Sequence, residues 1–418
     1  MLQTSSSPVL FIINSGSSSL KFLVMGMGAS QKNQSKPLGQ NLYRGRIDSI
    51  GGNNRLQVSD GNERVVHSKQ VDVANHGQAI QIILDWLSKE APALDIVAVG
   101  HRVVHGGTRY RQPVLITPQV LDYLHSLIPL APNHQPACLL GITELARLQP
   151  ELIQIACFDT AFHHDRPEVE QYFALPSWPE LELVRRYGFH GLSYEYIAKV
   201  LPDLPGKIAE RKVIVAHLGH GASLCAMKEG RSVATTMTFT PLDGIPMGTR
   251  CGAIDPAVVI YLQQQGMPLQ AVSDLLYFQS GLLGVSGESD NMADLLELKT
   301  PQAQRAIEQF VHHSVRAIGS LAATLEGLDA LVFTGGIGEH SAVIREAICK
   351  RCVWLGLYLD AAANKRGFEY SGLEHGAYVQ ISTKDSPVGT WVISTDEEHM
   401  IAEHSIRLLN NSREESST

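Results

Sequence analysis

The sequence predicts an α/β protein built on one theme used twice. Short β-rich apolar runs end abruptly in loops of small residues, and the same strand-then-loop pattern recurs in both halves of the chain. Composition is the third observation. The chain has 418 residues, 44% of them hydrophobic and 18% charged. That is enough for two to three domains at roughly 100–200 residues each, and it excludes a disordered chain.

The first element is Val9-Leu-Phe-Ile-Ile13, an apolar run of strand type. It breaks at Asn14-Ser-Gly-Ser-Ser-Ser19 and resumes as Leu20-Lys-Phe-Leu-Val24. Leu20, Phe22 and Val24 share one face of that second strand and Lys21 points to the other. The pair reads as a hairpin whose turn is almost all hydroxyls and backbone N–H groups. Helical periodicity follows at Gln78–Lys89 and Pro118–Leu127, and strands are expected at Ile96–Gly100 and Ile153–Asp159. In the second half, Val213–Ala216 leads into His217-Leu-Gly-His-Gly-Ala-Ser223. Leu331–Phe333 leads into Thr334-Gly-Gly-Ile-Gly-Glu-His-Ser341 and then a helix over Ala342–Cys352. The polar tail Asn410–Thr418 is expected to fray.

Net charge is −8, from 34 basic and 42 acidic residues. This argues against a nucleic-acid or anionic-membrane partner while leaving room for a local cationic pocket. No apolar run reaches about 18 residues, so no membrane span is expected. Met1–Pro8 has neither a basic segment nor a long apolar core of the secretory kind. Six cysteines are too sparse for a disulfide framework, so a reduced, cytoplasmic protein is the default. Cys349 and Cys352 fall on one helix face, and the sequence has no further pair at zinc spacing. They read as small buried hydrophobes.

Three loops rich in Gly and Ser directly follow strands. Such loops expose backbone N–H groups and let phosphate oxygens approach closely. They are not Walker A loops, since no G-x-x-x-x-G-K-[ST] occurs, nor a dinucleotide fingerprint, since Leu224 stands where Gly219-x-Gly221 would need a third glycine. One such loop alone is more often an ordinary turn; three after strands, one carrying Lys21, favour phosphate binding. Cationic and imidazole groups sit in similar settings: Arg102 in Gly100-His-Arg-Val-Val-His-Gly-Gly107, Arg250 in Gly248-Thr-Arg-Cys-Gly252, and His190 in Tyr187-Gly-Phe-His-Gly191. Taken singly, each is as well a surface arginine or a satisfied histidine. Together they suit a reaction that gathers negative charge, and arginine fits forked recognition of carboxylate or phosphate. The acidic candidates are Asp159, which closes an apolar strand and equally suits a turn cap, and Glu397, which opens the final helix where the dipole favours acid anyway.

From Val9 to about Leu409 these segments, in this order, resemble the acetate kinases, short-chain acyl kinases of the acetate and sugar kinase/heat-shock-70/actin superfamily. The landmarks are Asn14–Lys21, Gly100–Gly107, Phe158-Asp-Thr-Ala-Phe-His163, Gly188-Phe-His-Gly191, Phe239-Thr-Pro-Leu-Asp-Gly244, Met247-Gly-Thr-Arg250, Ser280-Gly-Leu-Leu-Gly284, Gly336-Ile-Gly-Glu339 and Thr395-Asp-Glu-Glu398.

The resemblance implies two duplicated ribonuclease-H-like, actin-like ATPase domains with an interdomain cleft. Residues 1–160 with 394–418 would form the first, and 161–393 the nucleotide-binding second. It implies magnesium-dependent transfer of the ATP γ-phosphoryl group to acetate, giving acetyl phosphate and ADP, with manganese a substitute metal, in a homodimer. By matching position, Asn14 and Glu397 would hold the metal, and Asp159, His190 and Arg250 would be catalytic. Arg102, Val104, Asn133, Phe189 and Pro241 would bind the acyl group. Lys21, His217, Leu218, Gly219, His220, Gly221, Asn291, Met292, Ala293, Gly336, Ile337, Gly338, Glu339 and His340 would bind nucleotide.

The residue chemistry agrees independently. Acetate is ionised at neutral pH, so the obstacle is an anion approaching an anionic phosphoryl group, and alignment and charge stabilisation supply the catalysis. Asp159 is then expected to orient an arginine or a metal-bound water rather than accept a proton. A sugar kinase would need a base for its hydroxyl acceptor, and a pure nucleotide-responsive module would need no acyl-anion clamp. Departures from the family pattern are Thr108, Asn133, Leu192, Tyr194, His220, Asn291, Ala293 and His340. They bear on donor identity and on acetate-versus-propionate preference more than on reaction class.

Overall fold

The structure is a computed structural model that describes residues 7–16, 19–27, 39–367 and 377–415. It divides into two compact units, Met1–Ala161 with Glu397–Thr418, and Phe162–Asp396.

The first unit is built on strands β1 (Ser7–Ser15), β2 (Leu20–Gly26), β3 (Asn41–Asp48), β4 (Asn54–Asp60), β5 (Val65–Val71), β6 (Leu94–Val103), β7 (Val114–Leu115) and β8 (Ile153–Phe158). Their spatial order is β5-β4-β3-β2-β1-β6-β8-β7. β1 to β5 form an antiparallel meander, while β6 runs parallel to β1, β8 parallel to β6, and β7 antiparallel to β8. The β1–β2 hairpin pairs Asn14 with Lys21 and Ser15 with Leu20. The Gly16 N–H donates to the Ser19 carbonyl at 2.8 Å; Ser17 and Ser18, part of the predicted turn, lie outside the described residues.

Alternation in β2 predicts one covered face, but Leu23 and Met25 are as buried as Leu20, Phe22 and Val24. The reason is that the sheet is covered on both sides. On one side Ile80, Ile83, Trp86 and Leu87 of the helix His76–Glu90, and Leu145 of the helix Gln135–Leu148, join Phe11, Ile13 and Phe22 in a single cluster. The first of these helices starts where its cap dictates, Asn75 Oδ1 accepting from the Gln78 N–H. On the other side the final helix, Glu397–Glu415, packs against β1 and β6. Gly100 of β6 makes that approach feasible: a Cβ there would stand 2.5 Å from Ser405 Oγ and 2.7 Å from Ile401 Cγ2. The helix also corrects the expectation of a frayed tail from Asn410: helical hydrogen bonding continues through Glu415, and residues 416–418 lie outside the described chain.

The second unit repeats the pattern. Its strands are β9 (Lys212–Leu218), β10 (Ala222–Lys228), β11 (Arg231–Thr235), β12 (Ala330–Thr334), β13 (Tyr378–Gln380) and β14 (Gly389–Ile393), in the order β11-β10-β9-β12-β14-β13. β9 to β11 are antiparallel, β12 runs parallel to β9, β14 parallel to β12, and β13 antiparallel to β14. This is the β3-β2-β1-β6-β8-β7 arrangement again, strand for strand, so the duplication read from loop chemistry is a duplication of topology. The helix Pro301–Thr324 packs here through Ala303, Ala306, Ile307, Phe310, Ser314, Ile318 and Leu321 at three- and four-residue steps. Cys349 and Cys352 are buried thiols with no disulfide between them. Among the described residues, no helix is long and apolar enough to cross a membrane.

Candidate active site

Each unit gathers its share of the candidate residues at the ends of its first parallel strands, where open α/β sheets place ligands.

In the first unit, Arg102 near the end of β6 meets Asp159 just beyond β8. Its Nε donates to Asp159 Oδ1 at 3.0 Å and Oδ2 at 3.1 Å, and its Nη2 donates to Oδ2 at 2.5 Å. Nη1 donates to the Ser15 carbonyl at 3.3 Å. Of the five guanidinium N–H groups, these contacts leave one on each terminal nitrogen, a forked pair suited to a carboxylate. Burial works against the Arg102 charge, but Asp159 and then Glu397 outweigh it and keep the guanidinium cationic. Burial pushes the Asp159 carboxyl up to about 6 against the downward pull of Arg102, with Glu397 adding to the rise.

Asn14 and Glu397, 383 residues apart, are hydrogen-bonded neighbours: the Asn14 amide nitrogen donates to Glu397 Oε2 at 3.0 Å and to Glu398 Oε1 at 2.7 Å. The nitrogen rather than the oxygen of Asn14 therefore faces the acids, an arrangement that orients carboxylates more directly than it ligates an ion. Glu398, missed by sequence reasoning, dominates the environment of Lys21, raising its ammonium pKa against the cost of burial, with Glu397 assisting. Glu397 Oε2 lies 3.9 Å from Arg102 Nε. Among the described residues no group of three or more His, Cys, Asp or Glu side chains is arranged around an ion. Two adjacent carboxylates nevertheless fit magnesium, which keeps most of its waters and needs one or two such ligands.

Val104 is buried, and the segment after it is pinned by Gln135, which sequence reasoning also missed. Gln135 Oε1 accepts from the His105 N–H, and its Nε2 donates to the His105 and Leu124 carbonyls. Nothing in its sequence neighbourhood signals this role. Asn133, two residues earlier, has a buried Nδ2 with no hydrogen-bond partner among the described residues.

In the second unit, β9 and β12 are parallel neighbours, with Thr334 opposite His217. Their following loops therefore lie side by side. Gly219, His220, Asn291, Met292, Ala293, Gly336, Ile337 and His340 line one cavity of about 350 Å³, joined by Asp290, Leu296 and Ser341. His220 Nε2 lies 3.0 Å from Asp290 Oδ2, and Gly248 allows its ring to sit there, since a Cβ on Gly248 would meet that nitrogen at 2.5 Å. Asn291 uses its side-chain oxygen to cap the helix Met292–Leu298, accepting from the Ala293 N–H.

His217, Leu218, Gly221, Gly338 and Glu339 are not part of the cavity wall. Glu339 is occupied structurally: Oε1 accepts from the Gly335 and Thr395 N–H groups, and Oε2 from the Ser394 hydroxyl. Behind it, buried Arg345 donates to the Gly338 and Glu339 carbonyls and to Asn364. Burial lowers the Arg345 pKa to about 10.

His190 opens the helix Gly191–Val200 with a left-handed backbone, φ 58°, an uncommon conformation for a residue with a side chain and one that clusters at functional sites. Its ring stacks on His217 with centroids 4.4 Å apart. A Cβ on Gly221 would lie 3.4 Å from His190 Nε2 and 3.7 Å from Arg250 Nη1, so imidazole, guanidinium and a glycine backbone converge. Arg250 Nη1 donates to the Pro241 carbonyl at 3.1 Å. Phe189 is buried, and its carbonyl accepts from His163 Nε2 at 2.9 Å. Of Ser193, Tyr194 and Ser223, the polar groups behind the two imidazoles, only Tyr194 stands out in the sequence, as a departure from the family pattern.

The acetate kinase of Porphyromonas gingivalis superposes with a TM-score of 0.79 at 33% identity, covering 96% of this chain and 100% of that one. A propionate kinase of Francisella tularensis gives 0.82 at 35% identity, covering 95% and 98%. The two like sheets are thus those of a two-domain actin-like ATPase fold, and the chain is a phosphotransferase of the kinase type. It belongs to the acetokinase family, whose model matches residues 9–403. An acetate kinase of Rhodopseudomonas palustris is 49% identical over 412 residues, 97% of this chain and 100% of that protein. One of Methylocella silvestris is 46% identical over 403 residues, 95% and 97%.

Proposed function

We propose that this protein catalyses the reversible transfer of the γ-phosphoryl group of ATP to acetate, giving acetyl phosphate and ADP. The observation that carries the reading is the Arg102 guanidinium, aimed by buried Asp159 and left with one N–H on each terminal nitrogen. A carboxylate oxygen of acetate attacks the γ-phosphorus, the bond to the β–γ bridging oxygen breaks, and its electron pair leaves on ADP. No proton is abstracted, because the acceptor is already an anion. Arg102 binds and aligns the carboxylate, and Asp159 aims Arg102. His190 and Arg250 donate to the phosphoryl oxygens as charge spreads over them. The loops Gly219–Gly221 and Gly336–His340 and the cavity of the second unit hold ATP, and Lys21 balances charge beside the acids.

Glu397, with Glu398 beside it, would hold magnesium, or manganese in its place, while Asn14 orients both carboxylates. The metal, when bound, neutralises charge on the donor phosphates. Hydroxamate detection of acetyl phosphate tests the reading. Turnover with ATP and acetate should vanish with a chelator and return with magnesium; chelator-insensitive turnover would overturn the metal role, and no turnover with any short-chain acid would overturn the activity.

Propionate as preferred acceptor is a second reading, favoured by the room that Asn133 leaves where the family's acyl pocket has leucine. A reduced cytoplasmic setting suits cysteines that form no disulfide among the described residues. A homodimer completes the proposal. It is supported by the helix Pro256–Gln264, which exposes Val258, Ile260 and Tyr261 and buries none of its residues. Light scattering that gave a monomer would remove it.

A further inference from the structure

The groups behind His190 determine which of its ring nitrogens carries a proton. Tyr194 is completely buried, and its Oη lies 2.5 Å from Ser223 Oγ. Ser223 is equally buried, and its Oγ lies 2.8 Å from His190 Nδ1. Among the described residues, Ser223 is the hydrogen-bond partner of the Tyr194 hydroxyl, and Ser223 Oγ stands between Tyr194 and His190. Burial, with the Cys225 thiol nearby, keeps Tyr194 a phenol well above the usual range, so it arrives at Ser223 with a proton to donate.

The direction of the chain follows from counting protons. A buried phenol O–H that finds no acceptor forfeits its solvation without return. The Tyr194 O–H therefore donates to Ser223 Oγ. The single Ser223 proton then has His190 Nδ1 as its acceptor, so Nδ1 is unprotonated and the ring proton sits on Nε2. Three charged or titratable neighbours favour a neutral ring. His217 stacks on His190, and Arg250 Nη1 approaches the same Gly221 position as His190 Nε2. His163, held neutral by burial, packs edge-on to Tyr194. A second cation beside Arg250 would be opposed.

We propose that Tyr194 is a positioning residue that, through Ser223, holds His190 as a neutral imidazole with its ring proton on Nε2. Its catalytic consequence rests on the phosphotransfer reading above; the tautomer itself does not. The test is nitrogen NMR of the full-length protein labelled with 15N-histidine, His190 being assigned by its loss in His190→Gln. His190 Nδ1 should show the signal of an unprotonated nitrogen across neutral pH. Tyr194→Phe frees Ser223 to accept from an Nδ1–H. The midpoint for proton uptake by His190 should then rise by about one pH unit, a tenfold change in its proton affinity. kcat should fall about tenfold with both KM values within about twofold. A protonated Nδ1 in the unaltered protein, or a Tyr194→Phe protein whose His190 titrates unchanged, would overturn the proposal. Should Tyr194→Phe fail to fold, the spectrum of the unaltered protein decides alone. Should the chain lack kinase activity, the tautomer assignment is still decided by that spectrum.

Discussion

Replacing Asp159 with asparagine tests how the acyl half of the site works. The side chain is 1% exposed, and three hydrogen bonds join it to Arg102, which is itself only 13% exposed. Asparagine keeps the volume but turns one acceptor into an NH2 that confronts guanidinium N–H groups. Breaking a buried ion pair from one side costs about 3–5 kcal/mol. Here the Ser15 carbonyl and Glu397 at 3.9 Å still serve the orphaned charge, so the lower end, about 3 kcal/mol, is expected in thermal or denaturant unfolding. The catalytic loss is a separate quantity. A hydrogen bond to a charged group is worth about 1.5–3 kcal/mol, and at 1.36 kcal/mol per tenfold that is roughly 10- to 150-fold in kcat/KM for acetate. KM for ATP should stay within about threefold, because the cavity of the second unit is untouched. The decisive arm is the same substitution in Arg102→Ala. If Asp159 acts through Arg102, it has little left to do there, and the double variant should match Arg102→Ala within about threefold. A further loss of tenfold or more in that background would show Asp159 working independently, as a base would, and would refute the orienting argument.

Three other outcomes are expected. Burial lowers the pKa of His101 to about 4 and those of His105 and His163 to about 3. The unfolded chain takes up these protons near pH 6.5 and the folded one does not. Stability is therefore complete above about pH 6.5 and lost as pH falls, by roughly 2 kcal/mol per ring at about pH 5; a melting temperature unchanged from about pH 7 to 5 would contradict it. In the nucleotide cavity Asn291 is committed to its helix cap and Ala293 offers no polar atom, so ATP should be preferred over GTP by less than about a hundredfold in kcat/KM, and a larger ratio would show that other residues read the base. Asn133→Leu removes a buried amide nitrogen that lacks a partner, which should raise stability by about 1 kcal/mol and shift the kcat/KM profile from propionate towards acetate; an unchanged profile would remove residue 133 from the acyl pocket.

What the sequence made legible was whatever is local. Val9–Ile13, Val213–Ala216 and Leu331–Phe333 announce themselves because buried strands are apolar runs stopped by glycine, and the observed β1, β9 and β12 contain them. The meander β3 to β5 escaped because its strands are half exposed and carry Arg44, Arg46, Arg55 and Lys69 instead of an apolar run. Pairings across the chain were invisible for a different reason. Nothing about Asn14 announces Glu398, 384 residues away, and the family resemblance alone drew Asn14 and Glu397 together. Tyr194 on the helix after His190 and Ser223 on β10, 29 residues apart, meet through a hydroxyl contact that no spacing rule encodes.

The last helix carries a consequence for how the molecule is made. It covers one face of the sheet that opens the chain, with Gly100 fitted against Ile401 and Ser405, and it supplies Glu397 and Glu398 to the Asn14 cluster. During synthesis β1, β2 and β6 therefore emerge long before their cover. Residues 162–396 can complete their own sheet while this face of β1 and β6 still waits for the helix. At about 5–20 residues per second, translating the nearly 300 residues that separate β6 from that helix leaves an apolar surface open for roughly 15 to 60 seconds. The order of folding is thus inverted relative to the order of synthesis, and the first unit closes last.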